Sequence, residues 1–206
     1  MQVFFKQNLA ILAVPKTGTT AYETALKRKA DIVFKGRRKH MSALLFDTQC
    51  APFLEAAYKL TPERVAVMRD PLEHLRSWFK YRTRDVLKDD KRSTQGMSFE
   101  DYVETAINAP TTPYANVGTQ YRFLTNKKGV VPLHHVFAYE AQPVFLAFLS
   151  QRFGRAIELP EINTSPDIDT PISDEMLAAF KAARQDDYAL YNRVLDAGGH
   201  LELEYS

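Results

Sequence analysis

LAILAVPKTGTT, residues Leu9–Thr20, is an apolar run that stops at Pro15 and gives way to a lysine, a glycine and threonines. An unbroken apolar run bounded by proline is the pattern of a strand covered on both faces. Thr19 to Ala30 then reads as a helix with Ala21, Ala25 and Leu26 on one side. A strand-to-helix turn presents unpaired backbone N–H groups and the positive end of a helix dipole, which attract phosphate or sulfate. Gly18 lets the backbone approach an anion without a Cβ in the way. Thr19 and Thr20 add hydroxyl donors, and Lys16 adds a mobile point charge. An ordinary turn with a surface lysine would read the same way, so the rest of the chain has to bear on the choice.

The loop departs from the one that binds ATP, in which Gly, four residues and Gly-Lys-Ser/Thr end in a hydroxyl that holds magnesium. Here the first glycine is missing, Lys16 precedes Gly18, and no hydroxyl stands in the register magnesium would need. After the apolar run Val65–Met68, Arg69 stands where a metal-holding Asp is often found, displacing Asp70 by one. A ligand that needs no metal fits this pattern better.

Composition sets the outer bounds. The 206 residues are 45% hydrophobic and 25% charged, and read as one soluble α/β domain over 1–206. A net charge of +2 gives no ground for a nucleic-acid or membrane partner, so any anion site depends on local placement of Lys and Arg. Cys50 is the only cysteine, which rules out an internal disulfide and fits a reducing, cytoplasmic setting. No apolar stretch approaches the ~20 residues of a membrane span. The apolar N-terminal run leads straight into the loop and reads as a buried strand, not a signal peptide.

Further along, Asp31–Phe34 reads as a short strand, 41–59 as helical, and Arg64–Met68 as a strand ended by Arg69-Asp70-Pro71. Pro71 suits the first turn of the next helix. Ser98 and Asp101 make a capping box for a helix through Asn108. Val136–Tyr139 reads as a late strand, Gln142–Phe153 as a helix, and Ser173 as the cap of a final helix. Strands alternating with helices imply a parallel α/β sheet. With the phosphate-type loop after the apolar run, the expectation is a P-loop-like three-layer fold, a central parallel β-sheet flanked by helices. Such sheets bind ligands beyond the carboxyl ends of their strands, which places Pro15–Thr20 and Arg69 on one rim.

The second informative stretch is RVAVMRDPLEHLRSWFKY, in which Arg69 ends a strand and Ser77 lies about two turns into the following helix. A guanidinium and a hydroxyl so spaced suit one phosphate, although Arg69 paired with Asp70 and Ser77 on a helix surface would explain them equally. Together the two stretches resemble the sulfotransferases that use 3′-phosphoadenosine 5′-phosphosulfate. That family opens with a strand and PK-S/T-G-T/S-T for the 5′-phosphosulfate, matched by Pro15, Lys16, Thr17, Gly18, Thr19 and Thr20. Its later strand with R-D/N-P and a serine eight residues on serves the 3′-phosphate, matched by Arg69, Asp70, Pro71 and Ser77. VGTQYRFL, VFAYE, LPEINTSP and DDYALY are similar to later family segments, and LPEINTSP would put Asn163 and Ser165 near the cofactor. Ala21 after the loop, where the cytosolic small-molecule branch has Trp, and the lack of an RKG segment point towards the carbohydrate and bacterial branch.

The resemblance implies transfer of a sulfuryl group to a hydroxyl of a sugar or small metabolite. Lys16 would stabilise charge on the transferring group. An acceptor hydroxyl also needs a base, and histidine titrates nearest neutrality. Of five histidines, His40 follows a strand and a basic turn, KGRRKHMSA, and its KH-x-x-A pattern resembles that at the family's presumed base. His134 and His135 read as edge residues, His74 lies on the phosphate helix, and His200 falls in the C-terminal tail. Arg37, Arg38 and Lys39 either bind an anionic acceptor or form a solvated turn. Gln120 and Tyr121 line the cleft or pack a helix. Trp78 reads as core, and Cys50 as a small buried hydrophobe. Two other functions share these features: a P-loop nucleotide kinase using magnesium–ATP, and a protein that binds the nucleotide without turnover.

Overall fold

The structure, a computed structural model, describes residues 1–160 and 166–204. Its strands are β1 (Gln2–Phe4), β2 (Leu9–Leu12), β3 (Ile32–Val33), β4 (Glu63–Met68), β5 (His135–Ala138) and β6 (His200–Glu202). The helices are α1 (Thr19–Leu26), α2 (Ala43–Leu45), α3 (Ala51–Tyr58), α4 (Pro71–Arg82), α5 (Phe99–Asn108), α6 (Gln120–Leu124), α7 (Gln142–Phe153), α8 (Asp174–Ala183) and α9 (Gln185–Asp196). Between α2 and α3 the chain makes a π turn, Phe46–Cys50. Pro52 has no N–H to continue an α-helical ladder back across that turn.

The strands form one sheet in the order β3-β1-β2-β4-β5-β6. Only its centre is parallel: β2 pairs with β4 in the register Leu12↔Ala66, and β4 with β5 in the register Met68↔Ala138. The edges are antiparallel, which corrects the all-parallel expectation. β1 returns on β2 through a tight turn at Asn8, β3 adds to β1, and β6 adds to β5. A turn of that length forces its two strands to run in opposite directions. The helix after the loop also ends at Leu26, short of Ala30, and one expected final helix is two helices, α8 and α9, followed by β6.

Alternation along the central strands explains why their apolar runs are continuous. Ala10, Leu12, Ala66, Met68, Val136 and Ala138 face a layer that includes Leu54 of α3, Leu124 of α6 and Leu190 and Val194 of α9. Leu9, Ile11, Val65, Val67 and Phe137 face α1 and α7 through Tyr22, Leu26, Phe145 and Leu149. Both faces of the sheet are covered, giving three layers. A third cluster joins α4, α5 and α8 around Phe79, Tyr102 and Phe180. Among the described residues no helix is long and apolar enough to cross a membrane.

Candidate functional site

The site lies where β2, β4 and β5 end. Beyond β2, Lys16 and Gly18 both adopt left-handed backbone, at φ 65° and 70°. For lysine that conformation is costly and marks a position held by its surroundings. Thr17 does part of the holding, since its hydroxyl donates to the Val14 carbonyl at 2.9 Å. That hydroxyl closes the loop from inside and is not a ligand group. Gly18 is the N-cap of α1 and offers no side-chain acceptor, so the first amides of α1 have no side-chain cap. Thr19 is buried and Thr20 exposed at the same helix start.

At the end of β4, Asp70 caps α4 by accepting from the amides of Leu72 and Glu73 at 2.9 and 3.0 Å. Its carboxylate is thereby tied to its own helix. The backbone of Arg69 is fixed on both sides by Gln120, whose amide accepts from Arg69 N–H at 2.9 Å and donates to Arg69 C=O at 2.7 Å. The Arg69 guanidinium lies over the ring of Tyr139, 4.7 Å from its centroid. Its nearest carboxylate is Glu73 at 3.8 Å, and its buried Nε has no hydrogen-bond partner. Tyr139 also packs on the loop: a Cβ placed on Gly18 would stand 3.0 Å from its Cε2. One aromatic ring thus touches both halves of the site.

α4 turns a face towards the loop through His74, Ser77, Trp78 and Tyr81, spaced as helix neighbours. His74 Nε2 donates to the Pro15 carbonyl at 3.1 Å. Burial pushes His74 down to about 3, and the cations Arg69 and Lys16 push the same way, so the ring is neutral. Ser77 is buried one turn further on, on the same face. The Lys16 ammonium sits 4.4 Å from the Tyr81 centroid and 5.8 Å from that of Trp78. Trp78 is therefore a half-buried wall of the site, not core. Burial lowers Lys16 to about 8, followed by repulsion from Arg84 and Arg69. Both arginines are thus close enough to disfavour the charge on the lysine.

His40 reaches the same rim from the other side of the loop. Its Nδ1 lies 2.7 Å from the Ala13 carbonyl, an oxygen that can only accept, so Nδ1 carries the proton and Nε2 keeps its lone pair. Burial of the ring lowers its pKa. The basic turn before it is divided. Lys39 pairs with Glu23 at 2.8 Å, Arg38 donates to Gln49 at 3.1 Å, and Arg37 is exposed.

The structure therefore brings together Pro15–Thr20, Arg69 and α4 with Ser77, and sets His40 beside Ala13. The expected contacts of Asn163 and Ser165 lie outside the described residues. Sequence reasoning missed Tyr139, Tyr81 and Arg84 as parts of the site, and placed His74 on the phosphate helix without its bond to the loop. The spacing of His74, Ser77, Trp78 and Tyr81 on one helix face was the available signal for the α4 residues; Tyr139 is placed only by the pairing of β4 with β5. No family model matches the chain, and no curated protein or solved structure matches it either.

Proposed function

We propose that the chain is a sulfotransferase that uses 3′-phosphoadenosine 5′-phosphosulfate and a sugar or small-metabolite hydroxyl as acceptor, on a P-loop-like fold in the cytoplasm. The observation that carries this reading is the junction at Tyr139, where an uncapped, lysine-bearing loop and an under-paired arginine share one ring.

The residues present fit such a nucleotide. A buried Arg69 Nε without a partner, and a lysine depressed to about 8 beside two arginines, are groups whose charge favours an anion among them. The amides of Thr17 to Thr20 and Lys16 would hold its 5′ end, and Arg69 with Ser77 its 3′-phosphate. When bound, the nucleotide supplies the sulfuryl group and leaves as adenosine 3′,5′-bisphosphate. Lys16 and the loop amides supply fixed positive charge where negative charge accumulates. The aromatic walls Trp78, Tyr81 and Tyr139 keep water from the lysine and arginine and strengthen their attraction for a bound anion. His40 Nε2 takes the acceptor proton. Asp70, tied to its own helix, speaks against the magnesium role a kinase would need.

The test is thermal unfolding with adenosine 3′,5′-bisphosphate, compared with magnesium–ATP, for the native chain and Arg69→Ala. At a hundred times its dissociation constant a ligand stabilises by ~2.7 kcal/mol, or about 5–10 °C for a chain this long. The expected result is a shift with the bisphosphate that is lost in Arg69→Ala. A shift with magnesium–ATP alone would overturn the reading in favour of a kinase. Binding without transfer to any acceptor would leave a nucleotide-binding protein.

A further inference from the structure

At the opposite edge of the sheet, where β4 and β5 begin, a second group of polar side chains converges. β5 and β6 pair His135 with Glu202 and Phe137 with His200, so all four side chains share one face. His135 Nδ1 lies 3.0 Å from His200 Nε2, and the Glu202 carboxylate is 3.8 Å from that same Nε2. The three ligand atoms fall within 4.8 Å of one another. The other nitrogen of His135, Nε2, meets Glu63 Oε2 at 3.0 Å, and Arg152 holds that carboxylate in turn. Since Glu63 accepts, His135 carries its proton on Nε2 and turns the Nδ1 lone pair towards His200.

We propose that His135, His200 and Glu202 bind a divalent transition metal, with zinc the best match to two imidazole nitrogens and one carboxylate oxygen. Zinc–nitrogen bonds of about 2.0–2.1 Å at a tetrahedral angle separate two nitrogens by ~3.3 Å, close to the spacing already present. The carboxylate behind His135 is the outer partner that metal-bound histidines use to fix their tautomer. Without metal, His200 Nε2–H donates to His135 Nδ1. With metal, His200 moves its proton to Nδ1 and offers Nε2, so the ring stays neutral and no proton is lost. The Glu202 side chain is 72% exposed and free to close on the ion, leaving a fourth position towards solvent. The ion would clamp the three-residue strand β6 to β5, where three register pairs now hold it.

The site is separate from the loop rim, and so is its test. Chelator-treated chain is titrated with zinc by calorimetry and thermal unfolding, and with cobalt(II) by visible absorption. Variants are His200→Phe, which keeps the stack on Phe137 (centroids 4.1 Å apart) while removing the nitrogen, and Glu202→Gln. One equivalent of zinc should bind and raise the melting point, and cobalt should give the d–d bands of a tetrahedral site. His200→Phe should abolish both, Glu202→Gln should weaken zinc at least about tenfold, and Glu63→Gln should weaken it about tenfold by loosening His135. Glu202→Gln decides the matter if His200→Phe fails to fold. Absence of stoichiometric zinc binding, or binding unchanged in the variants, overturns the proposal. The bisphosphate shift at the loop is expected to be the same with and without zinc.

Discussion

His74 Nε2 donates to the carbonyl of Pro15 at 3.1 Å, so the helix that carries Ser77 is bonded to the loop that carries Lys16. Burial, with the cations Arg69 and Lys16 beside it, holds His74 at about 3 and keeps the ring neutral, although the bond to Pro15 by itself favours the charged form. An unfolded histidine titrates near 6.5. Between those values the unfolded chain binds the extra proton, so this group lowers stability as pH falls from about 6.5 towards 3. The slope approaches ~1.4 kcal/mol per pH unit. Urea unfolding at pH 7, 6 and 5 should show that slope in the native chain and a shallower one in His74→Gln, which keeps a donor for Pro15. Equal slopes would mean that His74 is protonated in the fold.

Lys16 carries a second pH dependence, of opposite direction and on binding. Burial first, then Arg84 and Arg69, lower its ammonium to about 8, so the free chain loses this charge as pH rises past that value. A bound phosphate restores the proton and must overcome its loss. Affinity for adenosine 3′,5′-bisphosphate should therefore fall by up to about tenfold per pH unit above 8. Phosphate ionisation, with a second pKa near 6, is complete by then. Isothermal titration from pH 7 to 9.5 checks this. Lys16→Met should bind more weakly at pH 7 and show no such fall; a flat profile in the native chain would place Lys16 away from the ligand.

Gly18 is the one loop position where conformation and space both exclude a side chain. Its φ of 70° is left-handed, and a Cβ would meet Tyr139 at 3.0 Å. Gly18→Ala should cost about 1–2 kcal/mol through the backbone alone. That is a fall of about 2–8 °C in melting temperature for a chain of this length. In a Tyr139→Ala background the same substitution should cost less, because the ring that opposes the new methyl is gone. Strictly additive losses would show that the loop does not rest on Tyr139.

How much of this was readable beforehand follows from the range of each signal. β2, the loop, β4 and the Asp70–Pro71 helix start are written in contiguous residues, and so are the Ser98–Asp101 box and α7. Each of these appears where the letters put it. β6 is three residues, His-Leu-Glu, with no apolar run; it is a strand only because β5 offers an edge. β1 looked like part of one long apolar segment, and Asn8 gave no glycine to announce the hairpin. Tyr139 enters the site through contacts with Gly18 and Arg69 that no local pattern encodes, and the sequence offered Gln120 for the cleft without showing that it would hold the Arg69 backbone.

His40 gives the prediction that separates an enzyme from a binding protein. Its Nδ1–H is engaged by the Ala13 carbonyl at 2.7 Å, which fixes the ring and leaves Nε2 as a lone pair. Burial lowers its pKa below the usual histidine value, so at pH 7 that lone pair is free to accept a proton. His40→Ala should lower kcat by about 10²–10⁴-fold, the range of a lost general base, while adenosine 3′,5′-bisphosphate binds as before. In the native chain kcat/KM should fall as pH drops through the His40 pKa, because a protonated Nε2 cannot accept, and this acid limb should vanish in the variant. Steady-state rates with an acceptor found by screening, read alongside titration calorimetry, make both measurements. A variant with unchanged kcat would remove His40 from the chemistry and return the role of base to another group on the rim.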